Sequence, residues 1–532
     1  MNKGFNLLDE PWIPVRMIDG QSRDVGLLKL FEQAKEISAL AETSPPSLIA
    51  LYRMLLAITH RALTGAQGTW RDRDRATWYR GGLPKQALQD YLEHWRERFW
   101  LFHPDQPFMQ VAALATAQET QDKKPWTQIS LASACGNAPV LFDHSYDGVP
   151  TQITPSEAIR TLLGFLQFTP GGLVRIVRYA DNAGPLSNTA AVLPLGATLH
   201  ETLCLAMHPV TAASAADLPS WERPVASLSD LRAAPTVATG ANDRYTRLSR
   251  AVLLCPEDDY KIRWIYFAAG VALKNDENAP DPMASYRLGN SKLVRLSFTD
   301  GRAFWRDLPV LVPDAEGKAS QPASVLGWAA NLRGDIGDLL LDEVLLVAGV
   351  AVDPVKQARL VRWRSEQIAL PISLLSDPRL AAYLRMEVSR AEAVYVKLSK
   401  IAVRMIAETI STAKPDQDAL SHARDLFADK EVAMTFFSSV ERALPRLLRE
   451  IAEGRSDEAY LHWSETLSQA VRDTWEVVER NIGRSPRALR AEAKAFLGAK
   501  DGTKAKGFPG ISTLLRTLQP ELPIAGPQEA LL

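Results

Sequence analysis

The chain has 532 residues, 46% apolar and 23% charged, and its 61 Lys+Arg against 62 Asp+Glu leave a formal net charge of -1. The length calls for two or three domains, and the charge balance excludes an autonomous, strongly basic nucleic-acid binder, though not a subunit with one local basic strip. Three scattered cysteines (Cys135, Cys204, Cys255) exclude a disulfide framework, and the sequence has neither a secretory h-region nor a run of 18 apolar residues, so a cytoplasmic protein outside the membrane is expected.

Along the chain, the apolar run Trp12–Ile18 followed by Asp19-Gly20 predicts an opening hairpin. TSPPSLIALYRMLLAITHRAL predicts a helix capped by Ser44 or Ser47, with prolines where the first-turn N–H is free anyway. Leu48, Leu51, Leu55, Ile58 and Ala62 recur in it at helical spacing. A second helix is expected from Pro84 to Trp100. From Phe102 to about Leu370 the pattern changes to short strands, loops and isolated helices. HETLCLAMHP, KIRWIYFAAGVAL and KLVRLSFTDGRAFW read as strands, and EVLLVAGVAVDPVKQARLVRW as a projecting hairpin with a polar tip from Asp353 to Arg359. After Leu375 four apolar-periodic segments with short polar joints predict an antiparallel four-helix bundle. The expected fold is α+β: a mixed domain with irregular sheets over residues 1–374, then the bundle over residues 375–532.

The stretch FTPGGLVRI, Phe168–Ile176, looks like a backbone cradle. A phosphate loop needs GxxxxGK[ST], where the lysine reaches the phosphates and the hydroxyl holds magnesium. Both are missing, and so is a dinucleotide GxGxxG. On their own, Gly171-Gly172 read as a turn needing positive φ. The eight histidines form no HxH, HxxxH or HExxH pattern, and CPEDDYK (Glu257, Asp258, Asp259, Lys261) reads as a solvated turn rather than an acidic metal site. No catalytic constellation, metal site or cofactor is expected.

The strongest basic stretch runs from Arg484 to Lys506. Arg484, Arg487, Arg490 and Lys494 give one positive helix face, which suits phosphate contact and equally suits a solvated surface. The hairpin tip with Lys356, Gln357 and Arg359 fits either a groove-entering wedge or an ordinary polar turn.

In order along the chain, NLLDEPWIPV, HPDQPFMQ at His103–Gln110, GNAPVLFDH and TPGG are followed by the late hairpin and the helical segments. This order resembles the large subunit (CasA-type) of the type I-E CRISPR surveillance complex, Cascade, over essentially the whole chain. The resemblance implies a non-enzymatic subunit of an antiviral crRNA-guided effector. Its partners would be the other Cascade subunits, the crRNA, double-stranded target DNA with its displaced strand, and a helicase–nuclease. The subunit would read the protospacer-adjacent motif (PAM) and help open the duplex into an R-loop, while base pairing reads the rest.

Residue by residue, the resemblance puts the family's groove-facing glycine loop on Pro170, Gly171 and Gly172. Its lysine finger falls on Arg263, with Lys261 on the same face, and the arginine departs from the lysine pattern. Its glutamine wedge falls on Gln357 and Ala358, flanked by Lys356 and Arg359. Its anchor to the crRNA end of the complex falls on Leu141, Phe142 and Asp143. Some members carry a cysteine-rich turn before the finger strand; here only Cys255 stands there, which argues against zinc. Two other readings remain at this point: a protein scaffold that does not read DNA, and a nuclease or NTPase component.

Overall fold

The computed structural model describes residues 4–120, 122–131, 148–172, 174, 176–177, 182–211, 214–275, 280–289, 292–317, 320–337, 342–352, 360–412, 414–427, 430–498 and 509–519. The chain divides into two units, one formed by Met1–Phe304 with Val310–Ser376 and the other by Trp305–Pro309 with Asp377–Leu532.

In the first unit, alternation of Ile13, Val15 and Met17 with polar neighbours buries one face of β1 (Ile13–Met17). β2 (Ser22–Val25) and β3 (Ile37–Leu40) pair antiparallel on either side of it, with α1 (Leu27–Glu32) between them in sequence. The long α2 (Pro45–Gln67) starts at Ser44, whose side chain accepts from the Ser47 N–H, and Pro45-Pro46 occupy the first turn. It is buried on nearly every side. α4 (Lys85–His94), α5 (Pro155–Phe168), α8 (Ala241–Tyr245) and β11 (Asp342–Val352) all pack on it, so its apolar residues do not form a single stripe. Close packing needs Gly164 of α5, where a Cβ would come within 2.8 Å of the Ser47 hydroxyl. Inside this helix Arg53 makes a fully buried bidentate pair with Asp281, both bonds 2.9 Å, and stacks on Tyr245.

The remaining helices of this unit are α3 (Asp72–Gly81), α6 (Leu199–Ala206), α7 (Leu228–Arg232), α9 (Ser324–Ile336) and α10 (Ile372–Ser376). Three further small antiparallel sheets complete it. β4 (Lys124–Pro125), β7 (Ile262–Ala269) and β6 (Arg250–Pro256) lie in that order; β10 (Ser320–Gln321), β8 (Tyr286–Leu288) and β9 (Leu293–Arg295) in theirs; and β12 (Leu360–Pro371), β11 and β5 (Ala190–Leu195) form the third. β11 and β12 are the expected long hairpin, with Val350 opposite Trp363.

The structure corrects three expectations here. HETLCLAMHP is not a strand: Leu199–Ala206 is a helix, buried at every position but Glu201. A short run that is apolar on all sides has no period to separate a buried strand from a buried helix. The helix expected to reach Trp100 ends at His94, and a 3-10 turn, Arg96–Phe99, follows. Of KLVRLSFTDGRAFW only Leu293–Arg295 pairs as a strand.

The second unit is all-helical, with α11 (Pro378–Ile410), α12 (Gln417–Phe427), α13 (Lys430–Glu441), α14 (Leu444–Ala452), α15 (Ser456–Ile482), α16 (Pro486–Leu497) and α17 (Ile511–Leu518). Seven helical segments among the described residues thus replace the four continuous helices expected. The second expected helix is broken into α12, α13 and α14. Pro445 stands in the first turn of α14, where its missing N–H forbids continuation from α13. α11 packs on α12, α15 and α16, and α15 also packs on α13 and α14. Trp305–Pro309 belongs to this unit because Arg306 forms a bidentate pair with Glu392 (2.6 and 2.7 Å) and stacks 3.5 Å above Phe437. No helix among the described residues is long and apolar enough to cross a membrane.

Candidate nucleic-acid interface

The glycine loop is built from the end of α5. A capping box joins Thr154 and Glu157 at the start of this helix. Pro170 helps end it, because the residue before a proline is driven out of helical geometry, as Thr169 is (φ -56, ψ 130). The loop closes on itself where the Thr169 carbonyl accepts from the Gly184 N–H (2.9 Å); a Cβ at 184 would meet the Gln167 carbonyl at 2.7 Å. The buried Arg250 clamps both limbs, donating from Nη2 to the Pro170 carbonyl (2.5 Å) and from Nη1 to the Asn182 carbonyl (2.8 Å).

Neither Gly171 nor Gly172 lies in the left-handed region, so the turn reading of these residues is corrected. A Cβ at Gly171 would meet the Ala183 nitrogen at 3.3 Å, whereas at Gly172 it would meet nothing within 4 Å. Both residues are exposed. Among the described residues, then, nothing requires residue 172 to be glycine. Further along the loop, Val177 has φ 70, a strained setting for a β-branched residue.

The β6–β7 hairpin carries the finger candidates. Lys261 forms an exposed pair with Asp259 (2.8 Å), and Arg263 is tied to Glu257 (3.2 Å) and to the Pro150 carbonyl (2.6 Å). CPEDDYK is the turn of this hairpin, closed by Glu257 N–H to the Lys261 carbonyl (2.9 Å). Arg250 pairs with Ala269 at the other end of the ladder. Six residues of strand separate the two ends, about 20 Å at ~3.3 Å per residue. Arg263 therefore stands at the opposite end of the ladder from the Arg250 clamp on the described part of the glycine loop.

The fold brings Lys274 to this loop instead. Asn182, on the returning limb of the loop, donates from Nδ2 to the Leu273 carbonyl at 2.7 Å, and the exposed Lys274 follows directly, with no ion pair among the described residues. Sequence reasoning passed over Lys274 and Arg250. The one available signal was a lysine just beyond the strand IRWIYFAA, where the register of a finger is ambiguous.

In the second unit Ser485 caps α16, accepting from the Ala488 N–H (3.1 Å). Lys494 pairs with Glu408 (3.3 Å) and Arg490 donates to the Pro486 carbonyl (3.2 Å). Arg484 and Arg487 are exposed and have no partner among the described residues. Leu141, Phe142 and Asp143, and the tip residues Lys356, Gln357, Ala358 and Arg359, lie outside the described residues. Among the described residues no group of three His, Cys, Asp or Glu side chains is arranged to hold a metal ion.

The profile of the family described as CRISPR-associated protein Cse1 matches residues 6–474. Over 509 residues the chain is 33% identical to CasA/Cse1 of Thermus thermophilus, covering 92% of this chain and 95% of that protein. The crystal structure of Thermus thermophilus CasA superposes with a TM-score of 0.79 at 28% identity, over 97% of this chain and 100% of that one. A chain of a CRISPR RNA-guided surveillance complex superposes with a TM-score of 0.70 at 21% identity, over 97% and 99% of the two chains, a likeness of fold.

Proposed function

The chain belongs to the CRISPR-associated Cse1 (CasA) family, and we propose that it is the PAM-reading large subunit of a type I-E crRNA-guided surveillance complex. The observation that carries this reading is Gly172. It is exposed, outside the left-handed region and, among the described residues, free of any neighbour that a Cβ would strike, on a loop clamped by Arg250 and flanked by Lys274, which has no ion pair among those residues. Bare, pre-positioned backbone beside a cation fits the floor of a narrow groove, where a missing Cβ lets main chain approach base edges. The minor groove offers a degenerate pattern, so such a loop would accept more than one motif.

Lys274 is the cation this fold supplies to the loop; Lys261 and Arg263 stand at the far end of the same hairpin, tied to carboxylates of its own turn. The tip residues Lys356, Gln357, Ala358 and Arg359 would enter the opened duplex as a wedge, at a cost of a few kcal/mol per unstacked step, on the order of other wedge proteins. Leu141, Phe142 and Asp143 would seat the subunit at the crRNA end, and the helical unit would contact backbone through Arg484, Arg487, Arg490 and Lys494. The subunit would then serve as a docking surface for the helicase–nuclease. Its assigned work is binding and positioning, not turnover.

The test is binding of PAM-bearing and PAM-scrambled duplexes to the crRNA-loaded complex, with and without this chain, at one salt concentration. Discrimination that depends on the chain supports the reading. Equal discrimination without it makes the chain a scaffold.

A further inference from the structure

A cavity of about 230 Å³ opens in the first unit between the start of α2, the body of α5 and the edge strand β12. Trp363 of β12 forms one wall. The residue is 39% exposed, and its indole stacks on no other ring and makes no hydrogen bond among the described residues. Thr43, Ser47 and Thr161 also line the cavity, and none of their hydroxyls makes a hydrogen bond among the described residues.

The charges of the cavity decide what it can hold. Glu42 is committed to Arg160 (2.7 Å) and to the Ser44 N–H (2.8 Å), and Arg160 also donates to the Trp12 carbonyl (2.7 Å). Among the described residues Glu157 accepts through Oε2 alone, from the Thr154 N–H and hydroxyl at 2.9 Å each, which leaves Oε1 as an acceptor there. Two carboxylates against one guanidinium repel phosphate. A bare aromatic wall, unsatisfied hydroxyls and a spare carboxylate oxygen suit a flat, neutral heterocycle with N–H donors on its edge. A nucleobase has those properties, and indole–base stacking tolerates any base.

We propose that this cavity receives one unstacked nucleobase of the displaced DNA strand, with Trp363 as the stacking face and Ser47, Thr161 and Glu157 meeting the base edge. The strand assignment rests on the duplex-opening reading above. Trp363 lies on β12, the strand that follows Gln357, six positions later in the sequence.

The experiment uses the crRNA-loaded complex and PAM duplexes carrying 2-aminopurine at successive PAM-proximal positions of the displaced strand. At one position the fluorophore is expected to be quenched by the wild-type complex and several-fold brighter with Trp363→Leu. Thr161→Leu, which fills the cavity and keeps the indole in the chain, is expected to release the quench as well. Quenching unchanged in both variants, with PAM discrimination intact, overturns the base site and leaves the PAM reading standing. Quenching seen only when the label is placed in the guide RNA overturns the displaced-strand assignment. Should PAM discrimination itself not depend on this chain, the functional reading falls. The cavity is then judged by the full chain with a labelled single strand, and absence of Trp363-dependent quenching there overturns it too.

Discussion

Asn182 donates to the Leu273 carbonyl at 2.7 Å, and this bond sets an exposed lysine, Lys274, against the loop that presents Gly171 and Gly172. The cation is unpaired among the described residues, whereas Lys261 and Arg263 are both engaged by carboxylates of their own turn. Lys274→Ala is therefore expected to weaken duplex binding by the assembled complex and to reduce its log–log salt slope by about 1, the signature of one lost phosphate contact. Arg263→Ala removes an internal tie to Glu257 and Pro150 and is expected to leave the slope unchanged. Titrations at four or five salt concentrations decide between them. A slope that changes with Arg263 and not with Lys274 returns the finger to the far end of the hairpin.

Gly172 separates a structural glycine from one kept for a ligand. Because its Cβ would meet nothing within 4 Å among the described residues, Gly172→Ala is expected to leave the melting temperature unchanged. If the backbone lies against base edges, the same methyl group costs on the order of 1–2 kcal/mol of PAM-dependent affinity, about five- to thirtyfold in Kd. Gly184→Ala is the control in the opposite sense: its Cβ would strike the Gln167 carbonyl at the neck of the loop, so it should lower stability first. Equal affinity for Gly172→Ala and wild type would mean that the loop faces solvent in the complex.

What the sequence disclosed of this arrangement follows from the range of the forces involved. Local signals were legible: the Ser44 cap with Pro45-Pro46 behind it, the alternation in Ile13–Met17, and the long β11–β12 hairpin. Where an element is buried on all sides, as in Leu199–Ala206, the pattern lost its period and the reading failed. The site was less legible still. Arg250 reaches Pro170 across 80 positions of chain, and Lys274 meets the loop through an asparagine 91 positions from its acceptor. Such pairings leave no trace in spacing. The family resemblance proposed the glycine loop, and only tertiary contacts place Lys274 next to its returning limb.

The basic face of α16 divides into engaged and free charges. Lys494 is paired with Glu408 and Arg490 with the backbone, so among the described residues of this stretch Arg484 and Arg487 are the two without a partner. Substituting both by glutamine is expected to reduce the salt slope of complex binding by about 2, with PAM preference untouched, since phosphate contacts carry no sequence. Lys494→Gln should do less. If neither substitution moves the slope, this face is solvated and the helical unit acts through protein contacts alone.

The first unit also contains an acid-sensitive element in its core. His60 stacks on His208 with ring centroids 3.7 Å apart, both rings sealed from solvent. His60 Nδ1 accepts from Asn242 (3.2 Å), while its Nε2 and both nitrogens of His208 have no hydrogen-bond partner among the described residues. Burial, reinforced by Arg61, pushes His60 down to about 3 from 6.5, and burial together with His60 lowers His208 as well. A histidine depressed on folding stays neutral in the folded chain but takes a proton in the unfolded one. Its contribution is complete above about pH 6.5 and is lost as the pH falls below that value, by about 1.4 kcal/mol per pH unit for each ring. Asp217, 3.9 Å from His208 and pushed up by burial, acts in the opposite sense, so the useful quantity is a difference between variants. His60→Phe preserves a ring for the stack and is expected to flatten the acid limb between about pH 6.5 and 5 by about 1.4 kcal/mol per unit, at some loss of stability near neutral pH. Denaturant unfolding of the full chain followed against pH measures this. An acid limb equally steep in wild type and His60→Phe would place the sensitivity in the carboxylates instead.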